Sequence, residues 1–207
     1  MKPGVRTLDR ADLTVMVSLE NVAWPKDVRA SEQKFRDRLQ TFGRGFLGAW
    51  VDGELIGMAS SQIIDLPGLT TLESWTDLTA DGWISKTHQP DGDCIHFVSI
   101  CVHPRHRGEG VAMALNRARL ELAQEIGLNF ALTDTRLPGL SRFLSEHAYS
   151  GAEEYIGQIL AGKVAEPVVN MYLELGFKAL GLVPDCMKSD AESAKFGLAM
   201  LKALKRL

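Results

Sequence analysis

The residues from Ile95 to Leu115 constrain this chain more than any other stretch, because two periodicities meet there across a loop that belongs to neither. Ile95-His96-Phe97-Val98-Ser99-Ile100-Cys101-Val102 is a β-branched and aromatic run that stops at Pro104, which cannot donate to a sheet ladder. Beyond the loop, Val111, Leu115, Ala118 and Leu122 recur at helical spacing. Arg117, Arg119, Glu121 and Glu125 take the other faces, and Gly127 supplies a stop. Between strand and helix lies Arg105-His106-Arg107-Gly108-Glu109-Gly110. Glycines let backbone amides approach an anion with no side chain in the way, and the first turn of a helix adds unpaired N–H groups and a positive dipole end. The junction predicts a phosphate site.

The spacing narrows which phosphate. There is no Gly-x-x-x-x-Gly-Lys-Ser/Thr for a nucleoside triphosphate and no Gly-x-Gly-x-x-Gly for a dinucleotide. Arg107-Gly108-Glu109-Gly110-Val111-Ala112, preceded by Val102-His103-Pro104, resembles the pyrophosphate loop of the GNAT N-acetyltransferase superfamily, Gln/Arg-x-x-Gly-x-Gly/Ala after a strand ending in Val-x-Pro. An overlapping frame begins at Arg105, but the one at Arg107 keeps the family's local context. Asn170-Met171-Tyr172-Leu173-Glu174-Leu175-Gly176-Phe177 is similar to the family's later motif, a helix carrying Asn and Tyr that ends at Gly-Phe before a strand. The resemblance implies an α/β (α+β) fold with a mixed, mostly antiparallel central sheet flanked by helices. The segments near Glu73-Ser74-Trp75, Glu153-Glu154-Tyr155 and Asp190-Ala191-Glu192-Ser193 resemble, more weakly, an acetyltransferase-like domain found beside nitrilase-type hydrolases.

The resemblance also implies an activity: acetyl-CoA-dependent N-acetylation of a primary amine on a small molecule or peptide, by direct transfer and with no metal. The amides of Arg107, Gly108, Glu109, Gly110, Val111 and Ala112 would hold the pyrophosphate, with Arg105 and the Arg107 guanidinium as cationic supplements. The backbone of Ile100, Cys101 and Val102 would pair with the pantetheine arm, and Asn170 would add a coenzyme contact. Tyr172 matches the family's proton donor to the leaving thiolate, against a reading in which it only packs beside Phe177. His96 stands where the family commonly places a Glu, and histidine, with a reference pKa of about 6.5, suits a proton acceptor at neutral pH. The competing reading is a buried strand histidine with satisfied ring nitrogens, and Asp93 is the reserve base. The missing strand Glu leaves room for an alternative, a non-catalytic acyl-CoA-binding domain with a sensory or interaction role.

The remaining features bound the class. With 207 residues, 45% hydrophobic, and a formal net charge of −3, the chain suits one domain over 1–207 with a sizeable core, and offers no basic stripe for nucleic acid or an anionic membrane. No apolar segment of membrane length and no signal-like start is visible, so a cytoplasmic location is the expectation. Three cysteines without Cys-x-x-Cys spacing read as reduced thiols, Cys101 as a small apolar filler more than a nucleophile, and His103 with His106 lack a third ligand for a metal. Asp9 or Asp12 would cap a helix ended by Pro25, and Ser31 would cap another ended at Gly43. Asp52-Gly53 predicts a hairpin between two strand-like runs. Two long inserts, 65–93 with Pro67, Gly68, Trp75 and Trp83, and 134–166 with a helix near Tyr155, would shape the acceptor pocket or cover a neighbouring subunit in a homodimer. The tail from Phe196 to Leu201 reads as a last strand, with a helix as the alternative.

Overall fold

A computed structural model describes residues 3–66, 71–147 and 151–204. Pro67 and Gly68, the first breakers of the first insert, lie outside the described residues. Seven strands, β1 (Gly4–Thr7), β2 (Phe46–Val51), β3 (Glu54–Ile64), β4 (Cys94–Val102), β5 (Phe130–Arg136), β6 (Lys178–Val183) and β7 (Gly197–Ala203), form one sheet in the order β1-β2-β3-β4-β5-β7-β6. Every pairing is antiparallel except β4 with β5. That parallel pair needs a crossover, which α4 (Val111–Glu125) provides. The hairpin falls at Asp52 (φ 48°) and Gly53 (φ 83°), the two positive φ values that a right-twisted two-residue turn requires.

Alternation along β3 distributes the layers. Met58 packs with α1 (Leu13–Ala23) and α2 (Glu32–Phe42) through Met16, Leu19 and Phe35, while Ala59 packs with Val111 and Leu115 of α4. The α1 entry is a capping box in which Asp9 and Asp12 serve together, and Ser31 caps α2 by accepting from the Lys34 amide at 3.3 Å. On the α4 side, α5 (Leu140–Glu146), α6 (Ala152–Leu160) and α7 (Pro167–Glu174) close the largest apolar cluster over Phe97, Leu198 and Met200. Leu137 and Leu140 are completely buried there, each stabilising the fold by about 1.5–3 kcal/mol. The second insert is therefore core as well as wall: Asp134–Arg136 finish β5, and Tyr155 is buried with its hydroxyl donating to Glu166 at 2.8 Å. In the first insert the short helix α3 (Trp75–Leu78) lies against the opposite face, Leu78 beside Ile64 and Leu132 and Trp75 beside Val183 and Ala199. The tail forms a strand, β7, threaded between β5 and β6.

Two irregularities shape the middle of the sheet. The β3–β4 register shifts between Ser60 and Ser61, opposite Ser99, and such a bulge bends and twists its strand. The β4–β5 pairing runs only from Cys94–Phe130 to Phe97–Thr133, after which β5 stays with β7 and β4 stays with β3. From Val98 onward the edge of β4 that faced β5 has no strand beside it. No helix of the described residues is long and apolar enough to cross a membrane.

Candidate active site

The glycine loop takes the form that its composition predicts. After β4 a single 3-10 turn, Pro104–His106, is held by the His103 ring accepting from the Arg105 amide at 3.2 Å. Gly108 (φ 81°) and Gly110 (φ 79°) are left-handed, and a Cβ built on either meets nothing within 4 Å. Backbone conformation, not crowding by the protein, demands glycine here, and the space above both residues stays clear for a ligand. Gly110 precedes α4 with no side-chain cap, so the first-turn amides of Val111 and Ala112 are left for an anion. The loop side chains turn away: Arg107 donates to the Ala23 carbonyl at 2.9 Å, at the end of α1, and Glu109 bonds the His106 ring at 2.9 Å. The donors the loop leaves unclaimed are therefore those of the backbone, with exposed Arg105 as the nearby cation.

Where β4 parts from β5, a cavity of about 540 Å³ opens, lined by Phe97 to Ile100 on one strand and Thr133 to Arg136 on the other. Trp75, Arg38, Arg119 and Tyr172 complete its walls. Of the strand residues expected to meet pantetheine, Ile100 lines this cavity, whereas Cys101 faces α1. Burial, reinforced by nearby Glu20, holds the Cys101 thiol well above its ordinary value, so it stays protonated and serves as core. Trp75 fixes the wall by donating its indole N–H to the Val98 carbonyl at 2.7 Å; Trp83 sits apart, its ring 5.9 Å from the Lys34 ammonium.

Tyr172 is 3% exposed and its ring packs against Phe97 (6.3 Å) and Phe177 (5.3 Å). The ring is core, and the residue, like Arg119, also lines the cavity. Asn170, on the same helix, is exposed and outside the cavity, its amide bonded to the Glu166 carbonyl in mid-helix instead of capping an end.

His96 is 0% exposed and does not line the cavity. Thr87 donates to Gln62 Oε1 (2.8 Å), and Gln62 Nε2 donates to the Leu78 carbonyl (2.7 Å) and meets His96 Nδ1 at 3.1 Å. An amide nitrogen only donates, so Nδ1 accepts, and the Nε2–H of the neutral ring points to Asp134 Oδ2 at 2.8 Å. Asp134 does line the cavity, and its second oxygen, Oδ1, is buried with no hydrogen-bond partner among the described residues. His96 therefore reaches the cavity through Asp134 alone. Asp93, the reserve base, is a turn residue accepting from the Leu66 amide at 3.1 Å. Sequence reasoning passed over Asp134, which stood at the start of an insert, and Arg38 and Arg119, which stood on polar helix faces. No group of three or more His, Cys, Asp or Glu among the described residues is placed to hold a metal.

A family model described as the acetyltransferase (GNAT) family matches residues 13–143, more than half of the chain. The chain belongs to the GNAT family. Among curated relatives it is 27% identical over 199 residues to the probable hydrolase YhcX of Bacillus subtilis (strain 168), spanning 96% of this chain and 38% of that protein. It therefore spans well under half the length of that relative. It is 26% identical to the uncharacterized N-acetyltransferase YkwB of the same organism, covering 95% of this chain and 86% of the relative. Among solved structures, the GphF GNAT-like decarboxylase in complex with isobutyryl-CoA superposes with a TM-score of 0.81 at 21% identity, covering 98% of this chain and all of that one. The loading GNATL domain of CurA from Lyngbya majuscula gives 0.83 at 18%, covering 99% and 98%. At these identities the likeness is one of fold.

Proposed function

We propose that this GNAT protein transfers an acyl group, acetyl in the simplest case, from coenzyme A to the amine of a small molecule or peptide by direct transfer. The observation that carries the reading is the cavity itself, which exposes the unpaired edge of β4 with Tyr172 beside it, just ahead of the uncapped left-handed glycine loop. The fit to the coenzyme is testable on the chain alone: two glycines with clear space above them and unclaimed helix-start amides suit a pyrophosphate. Coenzyme A supplies the acyl thioester. The loop amides bind and orient, and Trp75 with the second insert limits water access. Asp134 takes the proton that the attacking ammonium gives up, while His96, whose Nε2–H bonds Asp134, positions and stabilises it. Tyr172 gives its proton to the departing sulfur.

A thiol-release assay with acetyl-CoA against a panel of amines, amino acids and peptides tests the activity. Release with at least one class, lowered roughly 10²-fold in Tyr172→Phe, supports it. Tight acetyl-CoA binding with no acceptor acylated would replace it with the acyl-CoA-binding interaction domain.

A further inference from the structure

Two of the guanidinium groups that line the cavity, Arg38 and Arg119, are buried. Each buried carboxylate at its walls is already engaged: Asp190 with Arg136 at 2.5 and 2.7 Å, Asp134 with His96, and Glu20 with the Ala30 amide at 2.7 Å. Neither Arg38 nor Arg119 makes an ion pair among the described residues, but Arg38 donates from Nε to the Gly82 carbonyl at 3.1 Å and from Nη1 to the Ser60 and Ser99 hydroxyls, whereas one donor of Arg119 is unused. Arg119 is 0% exposed. Its partners are dipoles: the carbonyls of Ser60 (3.4 Å) and Ser99 (3.3 Å), the Asn116 side-chain oxygen, and the face of Phe97 at 3.8 Å. Burial lowers its pKa to about 10, which leaves it charged at neutral pH. Nη1 pins the β3–β4 bulge and Nη2 donates to Asn116 one turn earlier on α4, but Nε is buried with no acceptor among the described residues. Thr135, on the β5 wall of the same cavity, has a buried hydroxyl with no partner either. A buried guanidinium N–H and a buried hydroxyl without partners are costly, and a ligand carboxylate is an acceptor for both.

We propose that Arg119 and Thr135 bind a substrate carboxylate inside the β4–β5 cleft. The inference rests on the coenzyme reading above and deepens it: the substrate of this cavity is anionic beyond its CoA phosphates. The carboxylate arrives either at the end of the acyl chain or as the α-carboxylate of an amino-acid acceptor, the same chemistry from two sources.

Two arms separate the sources, both on the full chain. Calorimetry compares CoA, butyryl-CoA and succinyl-CoA, and kcat/KM compares free amino acids with their amides. The site predicts at least a tenfold preference for the carboxylated member in one arm, and that arm names the source. Arg119→Gln should abolish the preference and Thr135→Val should cut it several-fold. The Thr135→Val protein, relieved of an unsatisfied hydroxyl of nearly equal volume, should melt no lower than the unmodified chain. A bulge-pinning role alone would produce no ligand-specific effect of Thr135→Val. No preference in either arm, or one that survives in a folded Arg119→Gln protein, overturns the proposal. Should Arg119→Gln fail to fold, an unchanged preference in Thr135→Val overturns it. Failure to bind CoA at all overturns the coenzyme reading instead, and a thermal-shift titration with free succinate then decides the anion site: a shift removed by Thr135→Val supports it, and no shift refutes it.

Discussion

Gly110→Asp isolates the backbone cradle from every other element of the site. Gly110 sits at φ 79°, ψ 7°, immediately before α4, and a Cβ there meets nothing within 4 Å. The substitution therefore costs backbone strain of about 1 kcal/mol, with no steric clash, and the fold should survive. Its carboxylate, however, enters the space that a pyrophosphate would occupy. At an effective dielectric near 20, one unit charge about 4 Å from another is opposed by about 4 kcal/mol. Solvent and salt at this exposed loop reduce that to roughly 2–4 kcal/mol, a loss of about 30- to 10³-fold in CoA affinity. Gly110→Ala carries the same strain without the charge and should lose less than about tenfold. Calorimetry at low and high salt, paired with thermal unfolding, separates the contributions: the Asp defect should shrink as salt rises and the Ala defect should not. A folded Gly110→Asp protein that binds CoA as tightly as the original, or an Ala variant as damaged as the Asp one, would refute the reasoning.

Tyr172→Phe retains the packing on Phe97 and Phe177, so CoA affinity and melting temperature should hold while turnover falls by roughly 10²-fold; undiminished turnover would remove the acid role. Asp134→Asn should lower turnover on a similar scale, about 10²-fold, with coenzyme affinity unchanged. His96→Asn, which keeps a polar group behind Asp134 but removes its ring partner, should lower kcat with KM for acetyl-CoA unchanged, and kinetics identical to the parent's would remove the positioning role. Burial alone would raise the Asp190 carboxyl, but its bonds from Arg136 and Ser193 outweigh that and hold it below its ordinary value. A depressed folded-state pKa means the contribution is complete above the unfolded value, about 4, and is lost as pH falls through the lower folded one. Asp190→Asn should thus cost roughly 2–4 kcal/mol at pH 7, and the gap in melting temperature should close as pH drops below about 4; a gap independent of pH would contradict the ion-pair account.

What could be read from the sequence, and what could not, divides along the range of the interactions involved. The hairpin, the caps at Asp9 and Ser31 and the glycine loop are decided within a few residues, because φ restrictions and side-chain-to-backbone bonds act locally. The gap between β4 and β5 is different. It exists because β7, near the end of the chain, pairs with β5 along its full length while the Ser60–Ser61 bulge bends β3 and β4 away, and neither cause is visible inside residues 94–102. The loop arginine shows the same limit from the other side: Arg107 fits the family's pattern, yet its guanidinium is spent on the Ala23 carbonyl of a helix 84 residues earlier in the chain. Arg119 makes the point most sharply. Periodicity places Arg117 and Arg119 alike off the apolar stripe of α4, but two residues are about 200° apart around a helix, and Arg117 is exposed while Arg119 is sealed. A polar residue opposite a partial apolar stripe faces water only if nothing else covers it. Here α7 and the bulged edge of β4 do, so a residue that binary patterning assigns to solvent becomes a buried guanidinium of the cavity with one N–H left without an acceptor among the described residues.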